Sequence, residues 1–281
     1  VAYDLQTERL GDSGADAFTD LETARYPDRP DLIVHRGRYS GLTVVSAAAE
    51  VDTADLLQTE QDRTADIVDF VATRVGAAEA PELQWVHRLI VADSDAVADV
   101  QEAVLPLAYH PPQPLSRGGA CVMGRGYSAV FTRHDDQIDA VELGLVSATQ
   151  VHMMVDTASR EAASLLTEVE PGHTPTEAAA NALARRAGAL IVRVRHIAEF
   201  ARRLRVSLQD ARGVAFEATI HTWGVGSELN EVTDRVDACV RIVDAVLDRQ
   251  RSDREARRNV LLFILAMLGV GQVIFAVYDF L

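Results

Sequence analysis

The stretch RQRSDREARRNVLLFILAMLGVGQVIFAVY, residues 249–278, decides the fold predicted for this chain. Its last nineteen residues, Val260–Tyr278, carry no charge, and Gln272 is the one clearly polar side chain among them. At about 1.5 Å per residue, a helix of that length covers about 29 Å, close to the hydrocarbon thickness of a bilayer. The sequence therefore predicts a single C-terminal membrane span over residues 259–281.

Arginines stand directly before this apolar run and predict its orientation, because basic flanks stay on the cytoplasmic side of a membrane. Arg254, Arg257 and Arg258 are the expected anchors at one interface, and Tyr278 is the expected anchor at the other. These residues predict a single-pass protein of the inner (plasma) membrane, with its N-terminus in the cytoplasm and the lipid bilayer as a partner.

Three residues inside the predicted span, Gly269, Gly271 and Gln272, indicate assembly of several copies. Glycines let helices approach closely, and a buried amide in hydrocarbon needs an interhelical partner or a pore. The alternative is a plain anchor that takes no part in assembly.

A heptad-like seam precedes the span and predicts a coiled-coil-like stalk helix that continues into it. The seam positions, three and four residues apart, are Leu229, Val232, Val236, Cys239, Val243, Val246 and Gln250. Asp237, Asp244 and Asp248 follow one another at spacings of seven and four and so share a face of the same helix. In a homo-oligomer these carboxylates could bind a divalent cation between subunits. The alternative is a solvated helix face.

Short β-rich runs alternate with helical patterns in the first half of the chain. Residues 32–35 and 42–47 predict a hairpin, residues 84–92 a buried strand, and residues 120–132 a glycine-containing strand or hairpin. Further on, Thr174-Pro175-Thr176-Glu177 has the form of a capping box that starts a long helix.

The predicted fold class is α+β: a cytoplasmic α/β domain followed by long helices and one C-terminal transmembrane helix. The three predicted regions are an α/β domain at 1–134, a long-helix or stalk region at 135–258 and the span at 259–281.

Composition argues against several functions. The 281 residues have a net charge of -15, from 42 acidic and 27 basic residues, and every basic residue is an arginine. An acidic chain argues against a nucleic-acid partner. We predict no cofactor, and a divalent cation stays open as the alternative because carboxylates attract such ions. Cys121 and Cys239 lie far apart in unlike contexts and predict neither a disulfide framework nor a zinc site.

Motifs of catalysis are missing from the sequence, which has no G-x-S-x-G, no Walker A and no H-E-x-x-H pattern. Ser128 has no base near it in the sequence. Gly124–Ala129 loosely fits a dinucleotide-binding pattern, but a β-rich run follows it, which favours a tight turn. His134-Asp135-Asp136 could touch a metal but fits a helix start better, and the apolar neighbours of His152 favour a packed histidine. We therefore predict no enzymatic activity.

The order of these regions over residues 31–281 resembles that of the CorA-like divalent-cation transporters, which have an acidic cytoplasmic α/β domain, long helices and a stalk that enters the membrane. The resemblance implies a pentameric funnel that transports divalent cations. CorA-like proteins carry Gly-Met-Asn at the end of the first span and then a second span, whereas residues 267–272 here read MLGVGQ. The single terminal span, with Trp223 ahead of the seam, is also similar to the meiotic-nuclear-division-like family.

These observations together predict a membrane-anchored homo-oligomer in which a cytoplasmic sensor domain acts through a helical stalk, as a channel-like effector or a scaffold. A bacterial defence or stress system and a cytoplasmic protein partner are compatible with that prediction. The alternatives are a divergent CorA-like transporter or transporter subunit and an enzyme held at the membrane.

Overall fold

The computed structural model of this protein describes residues 21–26, 28–37, 43–47, 56–74, 87–93, 95–103, 107, 110–169 and 177–280. For residues 268–280, and for a few positions elsewhere in helices and strands, it describes only the backbone. The chain has two compact units: the first comprises residues 1–155 and 197–227, and the second comprises residues 156–196 and 228–281. The predicted boundary at residue 134 lies directly before a long helix that starts at Asp135.

The first unit begins with an antiparallel sheet in the order β1-β2-β3 and a helix, α1. Their bounds are β1 Leu21–Tyr26, β2 Arg29–Gly37, β3 Thr43–Ala47 and α1 Leu56–Arg74. Leu32 and Val34 alternate along β2 and pack with Phe70 of α1 in a small apolar core, because residues two apart share a face of a strand. The antiparallel pairing of β2 with β3 confirms the predicted hairpin, whose connecting residues 38–42 lie outside the described part.

A second sheet has the strand order β4-β7-β6-β5, in which β4 and β7 are parallel and the other pairs are antiparallel. Its elements are β4 Arg88–Ala92, α2 Val97–Ala103, β5 Gln113–Pro114, β6 Ala120–Met123 and β7 Tyr127–Phe131. The predicted hairpin at 120–132 is confirmed as β6–β7, and β4 confirms a strand in the later part of 84–92, where residues 84–86 lie outside the described part.

Both faces of this second sheet are buried. On one face Cys121, Met123 and Val130 form a core with apolar residues of two later helices. On the other face Val122 and Phe131 pack with apolar residues of α2. The alternation along β6 and β7 follows from the two-residue period of a strand, and it leaves few positions for polar side chains.

Four helices complete the chain: α3 Asp135–Val169, α4 Glu177–Ser207, α5 Asp210–Thr222 and α6 Val225–Phe280. The helix Glu177–Ser207 confirms the helix predicted from the capping box, of which residues 174–176 are outside the described part. The start of α3 agrees with the interpretation of Asp135 and Asp136 as first-turn acids, and the backbone N–H of His134 donates to Thr132 Oγ1 at 3.2 Å.

The predicted membrane span needs a correction. In the part of the chain that the structure describes, no helix is both long and apolar enough to cross a membrane. The transmembrane part of the predicted fold class and the inner-membrane localisation are therefore wrong for the described chain, and the α+β part stands.

Candidate functional site

Helix α6 carries most of the predicted site residues, and its seam is a real buried face. Val232, Val236, Cys239 and Val243 are all buried, with at most 3% of their surface exposed. This burial is complete within a single chain, so the seam is covered without a second copy. A contact of Arg235 with Ser159 Oγ of α3, at 3.3 Å, lies beside it. The seam therefore serves folding of one copy and leaves other surfaces for partners.

The three aspartates of the predicted cation site, Asp237, Asp244 and Asp248, are exposed on α6. Asp248 lies 3.5 Å from Arg251, and among the described residues no group of three or more potential ligands is placed to hold a metal ion. The prediction concerned a site between subunits, and one chain does not test it.

The packing that covers α6 ends near Gln250. Every residue from Arg251 to Met267 is exposed. This exposed stretch begins with an Arg-rich segment, residues 251–258, and continues with apolar residues. We call residues 260–267 the apolar segment. Its large side chains are 50% to 67% exposed: Val260, Leu261, Leu262, Phe263, Ile264, Leu265 and Met267. The predicted anchors Arg254, Arg257 and Arg258 precede it on the same helix. For Gly269, Gly271, Gln272 and Tyr278 the structure describes only the backbone.

An apolar surface of this kind is unusual for a folded chain. Single exposed apolar side chains are normal, but contiguous apolar patches above a few hundred Å² mark interaction sites. A half-exposed large apolar side chain presents on the order of 100 Å² of accessible surface, so the seven side chains of the apolar segment present about 700 Å² together. Isolated exposed residues elsewhere, such as Val192 and Val206 on α4, contrast with this continuous surface.

A second candidate lies in the first unit, where His87 meets Ser128. His87 Nε2 and Ser128 Oγ are 2.9 Å apart, although the two residues are 41 positions apart in the sequence. Parallel pairing of Arg88 with Tyr127 and of Leu89 with Ser128 brings them together. Burial, and then the positive charge of Arg88, lower the pKa of His87 to about 4, so the ring is neutral at pH 7 and can accept a proton.

This pair has the donor and acceptor of a nucleophile with its base, but Ser128 has no exposed surface. A substrate needs access to the hydroxyl, whereas the contact with His87 satisfies a fully buried hydroxyl. The sequence offers no base close to Ser128. The parallel register of β4 on β7 brings His87 to it, and no local sequence pattern predicts that register.

Trp223 holds the same region together at the junction between α5 and α6. Its indole Nε1 donates to the carbonyl of Gly124 at 2.8 Å, and its ring centroid lies 5.3 Å from that of His87 and 5.4 Å from that of His152. The structure thus agrees with the interpretation of His152 as a packed histidine. Gly126, with φ of 89°, completes the tight turn between β6 and β7, which confirms the turn predicted at Gly124–Ala129.

A buried polar pair also joins the first sheet to α3. His35, on β2, lies with Nδ1 3.1 Å from Thr23 Oγ1 and with Nε2 3.5 Å from Glu142 Oε1. Burial raises the pKa of Glu142, but the neighbouring side chains of His35 and Ser46 outweigh it and hold that pKa below its usual value. The carboxylate is therefore charged at neutral pH, and it lies where the first sheet contacts α3.

Comparisons with protein-family models, with curated proteins and with solved structures found no match to this chain. The resemblance to CorA-like transporters and to the meiotic-nuclear-division-like family remains a prediction.

Proposed function

We propose that this protein is a self-assembling scaffold in which copies of the chain bind one another through the apolar segment of α6. The observation that supports the proposal is the exposure of seven large apolar side chains within eight consecutive residues. In this proposal the apolar segment joins the copies, and each copy contributes its sheets and packed helices to the assembly.

A second copy is the partner that the surface fits best. The apolar segment offers about 700 Å², against about 800 Å² per partner in a standard stable interface. It carries no charge that would demand a complementary charge, so it complements itself, and most soluble oligomers are symmetric assemblies of one chain.

The geometry of the segment favours more than two copies. Successive residues of a helix point about 100° apart, so six consecutive exposed side chains, Val260–Leu265, cover all directions around the axis. One partner helix covers only a stripe about 100° wide or slightly wider. A bundle of three or more helices covers a larger part of the apolar surface of each copy.

We expect the full chain to have a mass above twice the monomer mass of 30.6 kDa in light scattering coupled to size-exclusion chromatography. Replacing Leu261, Leu262, Ile264 and Leu265 together with Gln should shift it to the monomer. Glutamine keeps helix propensity and removes the apolar surface, and the positions are exposed, so folding of one copy should not change.

The matched control replaces the isolated exposed valines Val192 and Val206 with Gln. That variant should keep the mass of the unmodified protein, because it removes exposed apolar side chains outside the apolar segment. A monomeric unmodified protein, or a fourfold glutamine variant with unchanged mass, would show that the apolar segment is not the assembly surface.

A further inference from the structure

The Arg-rich segment before the apolar segment has one strongly basic side. At about 100° per residue, Arg251, Arg254, Arg257 and Arg258 lie within about 120° of the circumference of α6. Glu255 projects outside this sector. We call these four arginines the basic face.

The basic face continues the line of the buried seam. Val236 and Val243 project in the same sector of the helix and are buried within the single chain. Beyond Gln250 that packing has ended, and the same line changes from valine to arginine, all of it exposed. Positions on this line are therefore buried before Gln250 and open to a binding partner after it.

Several arginines elsewhere in the described part of this acidic chain lie against carboxylates. Arg186 is 2.7 Å from Glu168, Arg117 is 2.6 Å from Asp136, and Arg193 pairs with Glu161. On the basic face, Arg251 lies 3.5 Å from Asp248. Arg257 and Arg258 form no ion pair with any described residue, even though acidic residues outnumber arginines by 42 to 27 in the whole chain.

We propose that the basic face is a binding site for anions that carry phosphate groups. A guanidinium is always charged and offers a planar set of N–H donors that matches two phosphate oxygens at once. Neighbouring arginines on one side of a helix can bind two phosphate groups of the same molecule, so a diphosphate fits better than a single phosphate. This site goes beyond the assembly proposed above, because one copy of the chain already presents it.

The test is calorimetric titration of the full chain with pyrophosphate and, separately, with inorganic phosphate at low ionic strength. Pyrophosphate should bind at least tenfold more tightly than phosphate. Replacing Arg257 and Arg258 with Gln should weaken pyrophosphate binding at least tenfold, because both charges and both donor sets are lost. The exposed Arg185 and Arg195 of α4, replaced in the same way, should change the affinity less than twofold.

Vesicles distinguish the two sources of phosphate, a free anion and a lipid head group. Binding to phosphatidylglycerol vesicles, with no binding to phosphatidylcholine vesicles and loss in the Arg257/Arg258 variant, would support the site with lipid as its source. Release from those vesicles by pyrophosphate would support a free anion at the same arginines. Equal binding of pyrophosphate and of phosphatidylglycerol vesicles by the unmodified protein, the Arg257/Arg258 variant and the control variant would overturn the proposal.

Light scattering on the same samples separates this site from assembly. The Arg257/Arg258 variant should keep the mass of the unmodified protein, since the apolar segment is intact. A monomeric unmodified protein that binds pyrophosphate would refute the proposed assembly and leave the anion site standing.

Discussion

Replacing Gly144 with Ala is expected to lower the free energy of unfolding by about 2 to 3 kcal/mol. Gly144 lies in α3 where it crosses α5, and a Cβ atom there would lie 2.4 Å from the carbonyl oxygen of Arg212 and 2.9 Å from Ala215 Cβ. Carbon atoms do not approach backbone atoms so closely, so the two helices must move apart. That movement also disturbs the apolar core between them and the second sheet.

Gly188 provides the matched control, because it is also a helical glycine but has no atom within 4 Å of the position of an added Cβ. Alanine at Gly188 should raise stability by about 1 kcal/mol, since it restricts the unfolded chain and favours the helix. Urea unfolding followed by circular dichroism measures both variants. Equal effects of the two substitutions would mean that close packing at Gly144 does not decide its cost.

Short sequence patterns predicted where helices and strands form. They did not predict which parts of the protein pack against those helices and strands. The seam of α6 was predicted from side chains three and four residues apart, and Val232, Val236 and Val243 are indeed buried. The capping box predicted the start of α4 because capping is a matter of a few neighbouring residues. In each case the signal and the structure involve the same short stretch of chain.

The residues that pack on a given helix or strand are often far away in the chain, and the sequence did not predict them. The seam suggested a stalk between copies, whereas Val232, Val236 and Val243 are buried within a single chain. The contact of His87 with Ser128 needs the parallel register of two strands that are far apart in the chain. Hydropathy alone measures how apolar α6 is after Asn259, but it does not identify the surface that binds there.

The second large effect is a loss of stability in acid that is due to His87. The pKa of His87 is about 4 in the folded protein, against about 6.5 in an unfolded chain, because burial and the charge of Arg88 disfavour the imidazolium. As the pH falls below about 6.5, the unfolded state takes up a proton that the folded state does not. The free energy of unfolding therefore falls until the pH reaches about 4, where both states are protonated, and the total change is about 3 kcal/mol.

The measurement compares urea unfolding of the unmodified protein and of a His87→Gln variant between pH 7 and pH 4. Glutamine can still hydrogen-bond to Ser128 Oγ but does not titrate, so the stability difference between the two proteins should change by about 3 kcal/mol in favour of the variant. The carboxylates Asp31 and Glu142, whose pKa values are lowered in the folded protein, act in both and cancel in the difference. The exposed His196, replaced with Gln, serves as the control and should preserve the pH dependence of the unmodified protein. Parallel curves of unfolding free energy against pH for the unmodified protein and the His87→Gln variant would contradict this prediction. They would show that His87 protonates as readily in the folded state as in the unfolded state, so that its protonation does not lower stability in acid.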